Sequence, residues 1–180
     1  MPKSEKIILI GPSGSGKDFL MRRLTDKGLK PCLKWTTRPQ RKFEKQGITY
    51  NFVSDSQFKQ SINENKFLAY QTFVVTPDNS DPQTWYYGVT KEEFSNSQLF
   101  IMTPGELLKL TDEIKKQCFV VYLDIDRDIR ESRLYNREDK NDSIKRRLDS
   151  DEIDFKDLKD YDLRITDPDF GADDVYELMY

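Results

Sequence analysis

Histidine is absent from this 180-residue chain, and cysteine occurs only at Cys32 and Cys118. Without imidazole, histidine-based proton transfer and most zinc sites are excluded. The two cysteines fall in separate expected strands with no metal-ligand spacing, which points to core thiols and away from a disulfide or a nucleophile. Long apolar runs are also missing. Those present are a handful of residues long, too short to cross a bilayer, and Met1-Pro2-Lys3-Ser4-Glu5 has no apolar secretory region. The expectation is a cytoplasmic protein with no membrane partner. Internal repeats and linkers are likewise absent.

What is present suits one α/β domain with a proper core. Charged residues make up 34% and apolar residues 36%, a soluble globular balance, and the formal net charge is −3. That small sum hides a gradient. Residues 1–50 carry twelve Lys/Arg against four Asp/Glu, whereas residues 150–180 carry three against eleven. A basic first part favours an anionic small ligand. Nucleic acid is not expected as a partner, because no aromatic and basic residues interleave along the chain. The acidic end is most simply a solvated face.

The basic part contains Ile7-Ile8-Leu9-Ile10-Gly11-Pro12-Ser13-Gly14-Ser15-Gly16-Lys17. A short apolar run meets three glycines and a lysine, and a helical pattern opens behind it with Leu20 and Leu24 one turn apart. This is the layout of a phosphate-binding loop. Glycines let backbone N–H groups turn toward a polyphosphate, the helix adds its positive end, and Lys17 supplies a cation for the β and γ phosphates. The cofactor-binding candidates are Gly11, Ser13, Gly14, Ser15, Gly16, Lys17 and Asp18. Asp18 stands where such loops usually carry a Ser or Thr that ligates Mg²⁺. Its carboxylate is a hard oxygen ligand suited to that ion, or else an acid favouring the first helical turn.

Further along, the helix after the loop should end near Lys27-Gly28, with the glycine just past its C-terminus. A strand from Cys32 leads into the basic turn Thr36-Thr37-Arg38-Pro39-Gln40-Arg41, and Ile48–Val53 reads as another strand. Ser54 and Gln57 form a capping box before a helix carrying Phe58 and Ile62. Phe67–Val75 is strand-like, residues 76–84 are turn-rich, and Leu99–Met102 is a strand. Thr103-Pro104-Gly105-Glu106 combines an N-cap, an N1 proline and a capping acid for one helix bearing Leu107, Leu110 and Ile114. Cys118–Leu123 has the continuous apolar character of a parallel strand covered on both faces. Asp126 is placed to cap the charged helix that follows, and Ile144 with Leu148 marks another. Residues 162–166 form a last strand before a terminal helix. Strands alternating with helices predict α/β architecture around a parallel sheet.

Several ordered blocks resemble the guanylate kinase family of P-loop nucleoside monophosphate kinases: Gly11–Lys17, Thr36–Arg41, Gly47-Ile48-Thr49-Tyr50-Asn51-Phe52-Val53, Tyr87-Gly88, Arg133–Arg137 and Ile144–Leu148. The resemblance implies a P-loop NTPase core over about 1–32, 91–132 and 149–180. It also implies an NMP-binding insert over about 33–90 and a mobile lid over about 133–148. It implies ATP and Mg²⁺ as cosubstrate and metal. Arg38, Arg41, Tyr50 and Tyr87 then correspond to the side chains that hold the acceptor's phosphate, and guanidinium forks with phenol hydroxyls suit that anion. Lys17, Arg137, Arg147 and Arg133 correspond to the catalytic cations around the transferred phosphoryl group. Thr166 and Asp167 fall where the family meets adenine.

The positions that read guanine in the family hold Lys34, Ala69 and Val89 here, so the expected acceptor carries a base other than plain guanine. The loop between Phe73 and Trp85 supplies Asp78, Asn79, Asp81 and Gln83 as alternative readers, or is an idle insertion. Where the family strand ends Asp-Ile-Asp, this one ends Ile101-Met102-Thr103-Pro104, and Asp18 is the candidate replacement as a metal ligand. The resulting expectation is an ATP-dependent kinase of a nucleoside or deoxynucleoside monophosphate, monomeric or homodimeric. The rivals are a sugar-phosphate kinase and a silent phosphopeptide-binding module of the same fold.

Overall fold

A computed structural model describes residues 5–76, 81–136 and 143–179. Along the chain run β1 (Lys6–Ile10), α1 (Lys17–Asp26), β2 (Trp35–Thr36), β3 (Asn51–Phe52), α2 (Asp55–Asn63) and β4 (Phe67–Val75). Next come β5 (Gln83–Thr90), α3 (Lys91–Asn96), β6 (Leu99–Ile101), α4 (Pro104–Leu108) and α5 (Asp112–Lys115). The last elements are β7 (Cys118–Leu123), α6 (Arg127–Tyr135), α7 (Ile144–Phe155), β8 (Leu163–Ile165) and α8 (Ala172–Met179). Two compact units result: Met1–Pro31 with Gln98–Tyr180, and Cys32–Ser97.

The first unit is built on a parallel sheet in the order β6-β1-β7-β8. Its inner strand β1 is buried along its whole length, as the unbroken run Ile7–Ile10 requires. Ile8 is level with Phe100 on one side and Val120 on the other. Leu20 and Leu24 of α1, both 0% exposed, pack with Ile7, Leu9, Leu99, Val121 and Val175. The strand therefore ends at a fixed height, and the loop that follows it is held from below. Gly28 has φ +96°, the left-handed turn expected past the end of α1.

The second unit carries a mixed sheet, β3-β2-β5-β4, in which only β2 and β3 run parallel. Phe58 of α2 is fully buried and stacks on Phe67 at 4.3 Å between ring centroids. Gly88 is required there: a Cβ would lie 2.6 Å from the Phe67 ring.

Both capping boxes form, Ser54 with Gln57 and Thr103 with Glu106. Four local expectations need correction. The strand anticipated over Ile48–Val53 is reduced to Asn51–Phe52, because Gly47 at φ +72° turns the chain and leaves Ile48 73% exposed. Cys32 lies outside any strand, and β2 begins at Trp35. The single helix expected to carry Leu107 and Ile114 is two short ones, because Thr111 caps α5 by accepting the Ile114 N–H. Asp126 occupies the N-cap position of α6 but makes no side-chain cap hydrogen bond.

Candidate active site

The loop between β1 and α1 depends on glycines for space and for backbone conformation. Gly14 and Gly16 have φ of +77° and +105°, a region that costs residues with a Cβ dearly. A Cβ at Gly14 would lie 2.8 Å from the Arg130 carbonyl oxygen, and one at Gly11 would lie 2.8 Å from that of Leu123. Lys17 donates from Nζ to the carbonyls of Gly11 (2.5 Å) and Pro12 (2.9 Å), so its cation lies against the loop. Arg133 braces the same loop, donating to the carbonyls of Gly14 and Ser15 at 3.3 Å each and to Pro168 at 2.8 Å.

Beside the loop lies a cavity of about 570 Å³. Gly14, Gly16, Phe19, Arg133 and Asn136 line one part of it, and Pro168, Asp169 and Phe170 the other. Phe19 and Phe170 meet edge to face at 6.5 Å, giving the wall an aromatic surface suited to a planar base. The lining begins one residue after Asp167, whose carboxylate accepts the Asp169 N–H, and Thr166 is exposed.

The fit to a nucleotide triphosphate rests on this structure. The glycine cradle would be filled by any Cβ, and Ser15 Oγ is a buried hydroxyl with no hydrogen-bond partner among the described residues. Mg²⁺ fits as an ion bound chiefly to phosphate. No cluster of three ligating side chains occurs among the described residues, so Asp18, exposed at the second position of α1, would supplement phosphate oxygens and water.

In the second unit, Arg38, Arg41, Tyr50 and Tyr87 converge. The Arg38 guanidinium lies 5.5 Å from the Tyr50 ring centre, and the Tyr50 and Tyr87 rings are 6.3 Å apart. A residue unnoticed in the sequence joins them. Glu44 accepts from Arg38 through both carboxylate oxygens, at 2.9 and 2.6 Å, and from the Arg41 N–H at 2.8 Å. Arg38 is 4% exposed and Glu44 13%. Burial opposes both charges, but their pairing prevails: the Arg38 guanidinium is held above its ordinary range and the Glu44 carboxyl below its own. Burial pushes the Tyr87 hydroxyl up, against the pull of Arg38 and Arg41.

Ala69 and Val89 are cross-strand partners, 2% and 0% exposed, and form an apolar step. Gln71 pairs with Tyr87, and Phe73 touches the Tyr87 ring at 5.6 Å. Alternation along β4 puts Gln71 on the same face as Ala69 and Phe73. Lys34 precedes β2, where its carbonyl accepts the Asn51 N–H. Of the alternative loop readers, Asp78 and Asn79 lie outside the described residues, and Gln83 accepts from Trp85 Nε1.

Arg147 sits on the first turn of α7, half-buried, and Arg137 lies outside the described residues. Asp124 accepts from the Tyr122 hydroxyl and from Arg164. Cys118 is a core thiol that burial pushes up to about 11. Arg130 was also hidden in the sequence, although the spacing of Arg130, Arg133 and Arg137 is the helical pattern that could have revealed it. Glu44, Phe19 and Phe170 had no such signal.

A parallel sheet with a glycine-rich loop and Lys17 at the head of α1 defines a P-loop phosphate-binding protein. The guanylate kinase family model matches residues 3–178. Guanylate kinase of Rickettsia felis is 33% identical over 173 residues, covering 91% of this chain and 85% of that protein. The one from Nostoc sp. is 30% identical over 179 residues, covering 92% and 83%. A crystal structure of guanylate kinase from Anaplasma phagocytophilum superposes with a TM-score of 0.68 at 16% identity, covering 99% of this chain and 85% of the other, a likeness of fold. The chain belongs to the guanylate kinase family. It is accordingly a nucleoside monophosphate kinase that uses ATP and Mg²⁺.

Proposed function

We propose that this kinase transfers the γ-phosphoryl group of ATP to GMP. The relatives' names favour GMP, and no comparison supports the non-guanine acceptor expected from Lys34, Ala69 and Val89. In our reading the guanine edge meets Gln71, whose amide oxygen can accept from a base N–H where Ala69 and Val89 cannot. The observation that carries the proposal is the convergence of Arg38, Arg41, Tyr50 and Tyr87, with Glu44 pairing to Arg38 and accepting the Arg41 N–H.

In the reaction, the clamp holds the acceptor's phosphate and the loop amides with Lys17 hold the triphosphate. No general base is needed, because an acceptor phosphate oxygen is already anionic at neutral pH. Mg²⁺, when bound with the nucleotide, neutralises charge on the phosphate oxygens. Arg147, with Arg137 and Arg133, spreads positive charge over the transferring group.

A coupled ADP-release assay over GMP, dGMP, AMP, CMP, UMP and dTMP tests this reading. GMP should give the highest kcat/KM, and Arg38→Ala should raise KM for GMP while leaving KM for ATP unchanged. Turnover of a sugar phosphate with none of any nucleoside monophosphate would overturn it.

A further inference from the structure

A carboxylate of α7 sits on a loop that otherwise suits anionic ligands. Asp151 Oδ2 accepts the Ser13 backbone N–H at 2.8 Å, with the Asp151 side chain 16% exposed. The same oxygen is 3.7 Å from the Arg130 guanidinium. Arg130 is 5% exposed and donates to the Ile125 carbonyl at 2.8 Å and the Ser13 carbonyl at 3.4 Å. Both backbone polar groups of Ser13 are thereby engaged, the N–H by Asp151 and the carbonyl by Arg130. Placing a negative charge beside a phosphate loop is unfavourable unless that charge is neutralised, and Arg130 is the neutralising group.

Holding α7 to its neighbour helix does not require this contact. Arg127 of α6 already pairs with Asp149, at 2.7 Å, and with Glu152. What Asp151 adds is a fixed point between α7 and the loop. Arg147 precedes it by four residues, so the two lie on one face of the helix, about 6 Å apart along the axis.

We propose that Asp151 is a positioning residue for Arg147: it ties α7 to the Ser13 amide and so sets where the Arg147 guanidinium stands over the phosphates. The inference rests on the reading of Arg147 given above. Arginine entropy favours many placements, and a tie one turn away removes most of them.

The test is a double-mutant cycle on the full chain, with steady-state kinetics in ATP and GMP and a thermal melt of each variant. Arg147→Ala alone should lower kcat by about 10²- to 10⁴-fold. Asp151→Ala should lower kcat by roughly 10- to 100-fold with KM for GMP within about twofold of the parent, since misplacement of a catalytic group affects the transition state. In the Arg147→Ala background the same change should cost less than about twofold, because the positioned group is gone. Asp151→Asn keeps an oxygen for the Ser13 N–H and should recover most of the rate; it also serves as the second variant if Asp151→Ala does not fold, any loss it causes again vanishing beside Arg147→Ala. Full multiplication of the two defects would overturn the proposal while leaving Arg147 in place. An unchanged kcat for Arg147→Ala would overturn the Arg147 reading and this role with it.

Discussion

Glu44 shows how one acidic residue organises several basic ones. Its bidentate pair with Arg38, nearly out of water, fixes the plane of a guanidinium that would otherwise wander in a basic loop. Replacing it by glutamine keeps the shape but removes the charge, and a charge-assisted hydrogen bond contributes about 1.5–3 kcal/mol. Glu44→Gln should raise KM for GMP about tenfold, a change equivalent to about 1.4 kcal/mol, with KM for ATP unmoved. The acid limb follows from the direction of the shift. Because the folded carboxyl is held below the ordinary 4.5, its contribution to stability is complete above that value and is lost as pH falls through the lowered one. Acid-unfolding curves of parent and Glu44→Gln should therefore converge at low pH and separate above it. Residues of this kind are poorly legible in sequence, because their role lies in a contact and not in a pattern. Gly14, Gly16 and Lys17 were legible since local backbone geometry dictates them, whereas Glu44, Arg130 and Asp151 act through partners 3 to 138 positions away.

At the scale of elements, legibility followed the strength of the local rule. The buried strands β1 and β7 and the two capping boxes stood where apolar runs and Ser/Thr spacing put them. The pattern failed where two rules competed. Leu107, Leu110 and Ile114 fit one helical face, yet Thr111 starts a fresh turn between them. The start of α1 holds the element-scale prediction. Asp18 lies in its first turn, where an acid is favourable both to the helix and to a phosphate-bound cation. Asp18→Asn should raise the Mg²⁺ concentration for half-maximal rate severalfold, roughly the effect of removing one charged oxygen ligand. An unchanged Mg²⁺ titration would show that Asp18 serves only the helix.

For the molecule as a whole, ligand binding should be visible as stability. ATP at a hundred times its dissociation constant should stabilise the fold by about 2.7 kcal/mol, a Tm rise of roughly 5–10 °C for a domain of this size. Lys17→Ala should abolish most of that rise, since the Lys17 cation lies against the loop that holds the triphosphate. The two compact units are not marked in the sequence by any linker composition. The two cysteines fall one in each unit, and they differ chemically. Cys118 is 5% exposed and its thiol is pushed up to about 11, so it stays protonated and shielded at neutral pH, while Cys32 is only half-buried. Maleimide should therefore modify the native protein once, at Cys32, and twice after denaturation, as read by intact mass. A dye coupled there, at the very start of the second unit, gives fluorescence a natural vantage point from which to follow substrate arrival without removing any residue.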